Sequence, residues 1–332
     1  MSAPDTLADR FGRRINYLRL SITDRCNLRC RYCMPLSPQA RLARDPEDIL
    51  SYEELLRAAE AAAALGISRF KITGGEPLCR RDCASFIGRL KRIPGVEQVT
   101  LTTNGIWLAE AMPQLLHAGI DAVNISLDTL NPQTYKEITG YDALPAVLAG
   151  LEAALAAGLP VKLNAVLTEG SNVGDGQALL ALAEARKLDV RFIELMPIGY
   201  GRQQRGVSNV QLLESLHERY PGMERDPRRH GNGPAVYYRI PGFQGSVGFI
   251  SALHEKFCST CNRLRLTAWG QLKPCLCYGE AVDLRAVLRR PDSSREMLQA
   301  AIRQAVRQKP AAHCFEDIGA VTEGKEMVEI GG

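Results

Sequence analysis

The sequence predicts an α/β protein built on a parallel sheet, and two observations lead to that fold class. Short apolar runs rich in β-branched residues alternate with longer Ala/Leu/Glu-rich segments from residue 17 to about 196. Such alternation is typical of βαβ units with right-handed crossovers. Unusual residues directly follow the apolar runs, and ligands bind at the carboxyl ends of parallel strands in open sheets and barrels alike. Six repeats are fewer than the eight of a full (β/α)8 barrel, so an open sheet and an incomplete barrel both fit.

The individual elements follow from the same pattern. The apolar runs predict strands at 17–22, 69–73, 98–103, 122–127, 161–167 and 190–195. The intervening segments predict helices near 51–65, 82–92, 107–118, 142–157 and 175–187. Ser51 followed by Glu54 is a capping-box start for the first helix, and glycines stand where helices should end, at Gly66, Gly119 and Gly158.

The pattern changes beyond Pro197. A helix is predicted at 208–220, two short strands at 235–240 and 247–250, and a last helix near 294–308. Residues 226–234 are polar and rich in turn formers, which is typical of a boundary. We therefore divide the chain into a domain at 1–228 and a C-terminal domain at 229–332.

Composition limits the classes of function. The chain has 332 residues, 45% of them hydrophobic, and a net charge of +4. That charge is too small to indicate nucleic-acid binding, but it suits an anionic small substrate if the basic residues converge. The sequence contains no apolar run long enough to span a bilayer, and residues 1–14 are polar. We expect a cytoplasmic protein with no nucleic-acid or membrane partner, whose ten cysteines are metal ligands or reactive thiols before they are disulfides.

Three cysteines lie within eight residues, in the order Cys26-Asn-Leu-Arg-Cys30-Arg-Tyr-Cys33. They can hold three irons of a cubane iron–sulfur cluster, which ordinarily takes four cysteines. The fourth iron would then be open to another molecule. A structural zinc site fits less well, because it needs four ligands and usually two-residue gaps. Unreactive buried cysteines also fit poorly, because arginines flank the three thiols.

The spacing Cys26-x3-Cys30-x2-Cys33, with Tyr32 before the last cysteine, resembles the signature of the radical S-adenosylmethionine enzymes. A second hallmark of that family matches the run Gly74-Gly75-Glu76-Pro77. The resemblance implies an incomplete (β/α)6 TIM-type barrel with a C-terminal α+β extension. It also implies that S-adenosylmethionine chelates the open iron and is split to methionine and a 5′-deoxyadenosyl radical, which abstracts a substrate hydrogen.

A second cysteine group comprises Cys258, Cys261, Cys275 and Cys277. By spacing alone it is either a four-cysteine zinc ribbon or a second iron–sulfur cluster held by three of the four. Arg263 and Arg265 lie between them at alternate positions, so both guanidiniums of an extended segment would face one side. They could bind one polyanion or form an ordinary solvated strand face.

The resemblance extends over nearly the whole chain to a branch of the family that acts on GTP at the start of molybdenum-cofactor biosynthesis. The stretches that carry it are 18–26, 72–78, 101–105, 191–196, 257–265 and the terminal Gly331-Gly332. In that branch the two-glycine tail enters the active site and is needed for activity. A chain that ends in two glycines is otherwise usually frayed.

Site residues follow from this resemblance position by position. It implies a first 4Fe–4S cluster on Cys26, Cys30 and Cys33, and a second on Cys258, Cys261 and Cys275 facing the guanine of GTP. It implies S-adenosylmethionine contacts at Tyr32, Gly75, Ser126 and Met196. It implies GTP contacts at Arg19, Lys71, Thr102, Lys162, Arg263 and Arg265, and catalytic roles for Arg263, Arg265, Gly331 and Gly332. Lys71 departs from the arginine usual in this branch, and Cys277 has no role there.

The implied reaction removes the ribose C3′ hydrogen of GTP and joins C3′ to guanine C8. The cyclised radical is then reduced by one electron and protonated, which gives (8S)-3′,8-cyclo-7,8-dihydroguanosine 5′-triphosphate. The implied partners are a reductant such as flavodoxin or ferredoxin and a downstream cyclic pyranopterin monophosphate synthase. A homodimer is compatible with the resemblance. Two alternatives remain at this level. One is another radical S-adenosylmethionine enzyme with an auxiliary cluster, such as a peptide maturase, and the other is a non-catalytic protein that binds zinc.

Overall fold

This computed structural model describes residues 7–34 and 45–331. Within them the strands are β1 Tyr17–Ser21, β2 Arg69–Thr73, β3 Gln98–Thr103, β4 Ala122–Ser126, β5 Val161–Ala165, β6 Asp189–Ile193, β7 Glu224–Arg225, β8 Val236–Arg239, β9 Val247–Ile250, β10 Arg263–Leu266, β11 Gln271–Lys273 and β12 Val282–Asp283. The helices are α1 Tyr52–Ala63, α2 Cys83–Lys91, α3 Leu108–His117, α4 Pro132–Thr139, α5 Leu144–Ala156, α6 Gly176–Ala185, α7 Asn209–Arg219, α8 Leu284–Leu288, α9 Arg295–Arg307 and α10 Met327–Ile330.

All twelve strands form one mixed sheet in the order β12-β11-β10-β1-β2-β3-β4-β5-β6-β9-β8-β7. The six predicted βα strands are confirmed, and they run parallel from β1 to β6. Two strands from the C-terminal third extend this parallel run, because β10 pairs with β1 and β9 pairs with β6. The outermost pairings are antiparallel.

The two faces of the parallel strands differ in chemistry, as the two-residue period of a strand requires. One face is apolar and packs against the helices, and its members include Leu20, Ile72, Leu101, Ile125, Leu163 and Phe192, all at most 1% exposed. The other face carries polar and basic side chains. Residues from all eight parallel strands line a single cavity of about 990 Å³.

The predicted helix starts and ends are largely confirmed. Ser51 caps α1 by accepting a hydrogen bond from the Glu54 amide, and the Glu54 side chain accepts one from the Ser51 amide, which completes the capping box. No helix in the ranges 7–34 and 45–331 is long and apolar enough to cross a membrane.

The prediction missed seven elements of the described residues, namely α4, α8, α10, β7, β10, β11 and β12, and three of them bear on the site. Helix α4 follows β4 directly, with Asn131 at its N-cap and Pro132 in its first turn, so this crossover contains two helices where we predicted one. Strands β10 and β11 were not predicted as strands, although the segment of Arg263 was treated as extended. Both are short, and β10 depends on a partner strand about 245 residues earlier in the chain.

Candidate active site

The loop that carries Cys26, Cys30 and Cys33 follows β1 and borders the cavity. The unpredicted helix α4 holds this loop in place. The amide of Arg29 donates to the carbonyl of Thr139 (2.8 Å), and the amide of Arg31 donates to that of Ile138 (3.0 Å). These carbonyls lie at the C-terminal end of α4, where a helix leaves its last carbonyls without internal partners. The amides of the cysteine loop supply the hydrogen bonds that two of these carbonyls lack within the helix.

Gly74 and Gly75 dock the turn after β2 against the same loop. The Gly75 amide donates to the Thr23 carbonyl (2.7 Å), and the Glu76 amide donates to the Arg25 carbonyl (2.8 Å). A Cβ at position 75 would lie 2.3 Å from the Arg25 oxygen, and one at position 74 would lie 2.6 Å from the Thr23 oxygen. The two backbones are therefore too close for a side chain at either position, which explains why both are glycine.

Glu76 connects this turn to the end of β3. Its carboxyl group accepts hydrogen bonds from the Thr103 hydroxyl (2.7 Å), the Asn104 amide (2.6 Å) and the Leu78 amide (3.0 Å). The side chain is buried, and burial raises the pKa of Glu76 to about 7 although these hydrogen bonds oppose the shift. Thr103 ends β3 and Asn104 follows it, and both belong to the stretch 101–105 that carries the family resemblance.

Tyr32 is fixed by Asp128, which follows β4. The Tyr32 hydroxyl donates to the Asp128 carboxylate (2.6 Å), whose other oxygen accepts from the Val166 amide (2.8 Å). Burial raises the pKa of Asp128 to about 6, while its two hydrogen bonds lower it. The aromatic residue inside the cysteine motif is thus attached to β4 and to the chain after β5.

The thiols of the first group disfavour one another's ionisation. The pKa of Cys30 is raised well above its usual range, first by burial and then by the negative charges of Cys33, Asp128 and Cys26. Three thiolates held this close need a cationic centre to offset their charge. The donor set therefore fits an iron–sulfur cluster with three cysteine ligands.

Three cysteines of the second group, Cys258, Cys261 and Cys275, line the same cavity. Cys277 does not line it. Its buried sulfur lies 3.2 Å from that of Cys314, in a small apolar cluster with Leu276 and Phe315. The structure thus places three cysteines at the cavity and directs the fourth away from it.

Basic side chains occupy the cavity between the two cysteine groups. The strand register places Arg19 beside Lys71 on one side and beside Arg265 on the other. Burial lowers the pKa of Lys71 well below its usual range, and the nearby charges of Arg191, Arg19, Lys162 and Arg263 lower it further. The pKa of Arg265 is lowered in the same way by burial, Arg19 and Arg263. This cluster of like charges is electrostatically unfavourable until an anion binds.

Several polar atoms in this cluster are buried without hydrogen-bond partners among the described residues, namely Thr102 Oγ1, Arg191 Nε and Arg263 Nε. Buried polar groups are rarely left unsatisfied in native proteins. These atoms and the accumulated positive charge both fit a bound polyanion. Lys162 differs, because its ammonium already contacts Asp189 (3.1 Å) and the Tyr237 hydroxyl (3.1 Å).

Sequence reasoning missed Arg191 and Asn124 in this cluster. Arg191 on β6 is 7% exposed, and Asn124 on β4 is 5% exposed. With its amide oxygen turned toward them, Asn124 accepts hydrogen bonds from Lys71 and from Arg191. The sequence did contain a signal for Arg191. A charged residue at the centre of an otherwise apolar strand is costly to bury unless it faces a functional cavity.

The four residues expected to contact S-adenosylmethionine also border this cavity. Tyr32 comes from the cysteine loop, Gly75 from the turn after β2, Ser126 from the end of β4, and Met196 from the segment after β6. Gly75, Ser126 and Met196 lie at or within three residues of the carboxyl ends of β2, β4 and β6, and Tyr32 lies between Cys30 and Cys33.

The C-terminal tail reaches the polar face of the sheet. The Gly331 carbonyl accepts a hydrogen bond from the Arg265 guanidinium (2.9 Å). Gly331 has a φ of +87°, and a Cβ there would lie 2.6 Å from Ser21 Cβ and 3.0 Å from Thr73 Oγ1. A glycine is therefore required by both conformation and space. Gly332 lies outside the described residues.

Comparisons with known proteins identify the family of this chain. Residues 20–183 match the model of the Radical SAM superfamily, and residues 188–315 match that of Molybdenum Cofactor Synthesis C. The structure is similar to that of Streptococcus suis SuiB bound to S-adenosylmethionine, with a TM-score of 0.64 at 15% identity, covering 95% of this chain and 73% of SuiB. At that identity the likeness shows the fold alone. Fold and motif together define a radical S-adenosylmethionine enzyme.

Sequence relatives narrow the class further. The chain is 46% identical to the GTP 3′,8-cyclase of Moorella thermoacetica, over 98% of this chain and 100% of that protein. It is 42% identical to the GTP 3′,8-cyclase of Peptoclostridium acidaminophilum over the full length of both. The chain belongs to the GTP 3′,8-cyclase family.

Proposed function

We propose that this protein cyclises GTP to 3′,8-cyclo-7,8-dihydroguanosine 5′-triphosphate, the first step of molybdenum-cofactor biosynthesis. The observation that carries the proposal is one cavity with a three-cysteine group at each side and buried, like-charged basic residues between them. A triphosphate supplies the negative charge that this cluster lacks. A peptide would supply it only through several acidic side chains, whereas every GTP molecule carries it, so the geometry favours GTP over the peptide-maturase alternative.

Cys26, Cys30 and Cys33 would hold the first 4Fe–4S cluster, and Tyr32, Gly75, Ser126 and Met196 would contact S-adenosylmethionine beside it. When bound, this pair supplies the 5′-deoxyadenosyl radical that removes the ribose C3′ hydrogen. The chain's own residues hold the cysteine loop rigidly through Gly75, Glu76 and Asp128 and surround the site with protein.

Cys258, Cys261 and Cys275 would hold a second 4Fe–4S cluster that faces the guanine. Arg19, Lys71, Thr102, Lys162, Arg263 and Arg265 would contact GTP. We add Arg191 as a further contact, because its buried guanidinium lies in the same cluster. Lys71 keeps the charge of the arginine usual in the family, although an ammonium lacks the two-pronged geometry of a guanidinium.

The tail would act together with Arg263 and Arg265. The hydrogen bond from Arg265 to the Gly331 carbonyl fixes the end of the chain against a residue that we expect to contact substrate. Gly331 and Gly332 would then limit how the ribose and the arginines can move. Their proposed role is catalytic positioning, as the family resemblance implies.

At the level of the whole chain, we propose that the parallel strands form an incomplete (β/α)6 TIM-type barrel. Residues 1–228 would form the barrel domain, and residues 229–332 would form an extension that carries the second cluster. We further propose a cytoplasmic enzyme that receives electrons from flavodoxin or ferredoxin. It would pass its product to cyclic pyranopterin monophosphate synthase and would assemble as a homodimer.

The test is an anaerobic assay of the reconstituted protein with S-adenosylmethionine, a strong reductant and GTP. We expect GTP to stimulate formation of 5′-deoxyadenosine and the cyclised nucleotide to accumulate with it. ATP, which has the same triphosphate and a different base, is the matched control and should not stimulate. Failure of GTP to increase 5′-deoxyadenosine would refute the cyclase activity.

Metal analysis tests the cofactors separately. Two cubanes predict about eight irons and a similar amount of sulfide per chain. Substituting Cys275 by Ala should remove about half of the iron, whereas Cys277→Ala should remove none. Zinc without sulfide would instead support a non-catalytic metal-binding protein.

A further inference from the structure

Lys309 lies at the second cysteine group, and no feature of the sequence singled it out. Lys309 comes two residues after the end of helix α9, and only 2% of its surface is exposed. Lysine is rarely buried to this extent unless its charge is offset. The surroundings of its ammonium group therefore indicate what this side chain is for.

All three protons of the ammonium have acceptors. Nζ donates to the sulfur of Cys261 (3.3 Å), to the carbonyl of Arg263 (3.0 Å) and to the carbonyl of Pro274 (2.8 Å). Among the described residues none of its hydrogen-bond acceptors is a carboxylate. The one acceptor that can carry a full negative charge is the Cys261 sulfur, which becomes a permanent thiolate when it binds a metal.

The three contacts also join two separate parts of the cysteine group. Cys261 and Arg263 belong to the segment that leads into β10, whereas Pro274 immediately precedes Cys275 beyond β11. The Lys309 side chain thus bridges the segments that carry two of the three expected ligands. It fixes the distance between those segments at the wall of the cavity, which Lys309 lines together with the three cysteines.

We propose that Lys309 is the positioning residue of the second cluster: it bridges the ligand segments of Cys261 and Cys275 and compensates the charge of the Cys261 thiolate. This inference rests on the proposed second cluster. A hydrogen bond and a positive charge at a ligating sulfur stabilise the more negative, reduced state of a cluster, which raises its reduction potential. Lys309 therefore makes the second cluster easier to reduce than its three thiolates alone would allow.

The test substitutes Lys309 by Met, which keeps an unbranched side chain one atom shorter and removes the donors and the charge. In the anaerobically reconstituted full-length protein, the reduction of each cluster is followed by electron paramagnetic resonance during a redox titration. At the wild-type midpoint of the second cluster we expect an at least tenfold lower reduced-to-oxidised ratio, which corresponds to about 59 mV for one electron. The first cluster is the internal reference and should not shift.

Lys256→Met is the matched control. Lys256 also lies close to the second group, two residues before Cys258, but its ammonium is paired with Glu316 and its side chain is 38% exposed. Solvent screens such a charge, so its removal should shift the second potential much less than Lys309→Met does and should leave the first unchanged. Lys309→Gln keeps one donor without the charge and should give an intermediate shift.

The outcomes separate this inference from the function on which it rests. If the Met variant retains about eight irons and an unshifted second potential, Lys309 has no role at the cluster. Selective loss of about four irons from that variant supports the bridging role. If Lys309→Met does not fold, the reduction potential of the second cluster in Lys309→Gln decides the question instead. If the wild-type protein itself holds only one cluster, the proposed second cluster is wrong, whatever the variants show.

Discussion

Gly75 shows at the residue scale how an absent side chain can position a reactive loop. A Cβ at this position would lie 2.3 Å from the Arg25 oxygen and 2.9 Å from the Asp24 oxygen. Both oxygens belong to the backbone, which cannot rotate away as the end of a flexible side chain can. The site therefore depends on a contact between two backbones, one of which leads directly into Cys26.

Gly75→Ala should displace the cysteine loop. We expect destabilisation of about 1–3 kcal/mol, as for other overpacked sites, and loss of the first cluster with the second retained. Iron content should fall by about half, and chemical denaturation should give the change in stability. Gly174→Ala is the control, because nothing lies within 4 Å of a Cβ at that position. An unchanged iron content in Gly75→Ala would contradict the docking role.

Glu76 predicts a specific dependence of stability on pH. Its pKa rises from 4.5 to about 7 in the folded protein, so the native state binds a proton that the unfolded state releases between these values. The contribution is fully present below pH 4.5 and is lost as pH rises through about 7, and it amounts to about 3 kcal/mol. Unfolding free energies at pH 5 and pH 8 should therefore diverge more in the wild type than in Glu76→Gln. Equal pH dependence in both proteins would show that the carboxyl does not titrate in this range.

Helix α4 illustrates, at the scale of the element, what the sequence could not reveal. The six strands and five helices of the repeating units were predictable because each has its own apolar period. Helix α4 has an evident start signal in Asn131 and Pro132, but it has eight residues and shares its crossover with α5. Its contacts with the cysteine loop could not be anticipated, since they join backbone atoms over 100 residues apart and leave no pattern in the side chains.

A second connection between elements is made by Glu194, at the end of β6. This carboxylate, 2% exposed, accepts from the Leu253 amide (2.8 Å), the Asn209 amide (3.0 Å) and the ring of His254 (2.6 Å). It thereby attaches to β6 both the start of α7 and the segment that leads to Cys258.

Glu194→Ala should leave these donors unsatisfied, at about 1–3 kcal/mol for each buried donor. We expect the amides of Leu253 and Asn209 to exchange with solvent at least tenfold faster, since about 1.4 kcal/mol corresponds to tenfold. Hydrogen–deuterium exchange measures this directly. Glu255→Ala, at an exposed carboxylate in the same segment, should leave both exchange rates as they are in the wild type. Unaltered exchange in Glu194→Ala would mean that other contacts hold the segment.

At the scale of the whole molecule, the active cavity depends on contacts between the C-terminal tail and the first strands of the sheet. The tail residue Gly331 lies against Ser21 of β1 and Thr73 of β2 and is bound by Arg265 of β10. The resemblance of the terminal glycines to a known branch allowed us to expect a role for the tail. The sequence alone gave no means to place it, because nothing local to residues 327–331 specifies contacts with β1.

Gly331→Ala should reduce cyclisation at least tenfold while both clusters remain. The added methyl group would collide with Ser21 and Thr73, and the φ of +87° is unfavourable for alanine, so the end of the chain should leave its site. Product formation and iron content are measured on the same preparation. Gly324→Ala, in the same tail but with open space at its Cβ, should retain full activity. Full activity of Gly331→Ala would refute a role for the placement of the tail.

The sheet order has a consequence for how the protein is made. Strands β1 and β6 form the two sides of the six-stranded parallel run, yet their outer partners, Arg263–Leu266 and Val247–Ile250, emerge from the ribosome only after all six strands have been made. Until then the nascent chain presents two unpaired strand edges, which are templates for aggregation. The late strands also bring the second cysteine group with them. Closing the sheet edges and bringing the two cysteine groups to one cavity are thus a single, late event in synthesis.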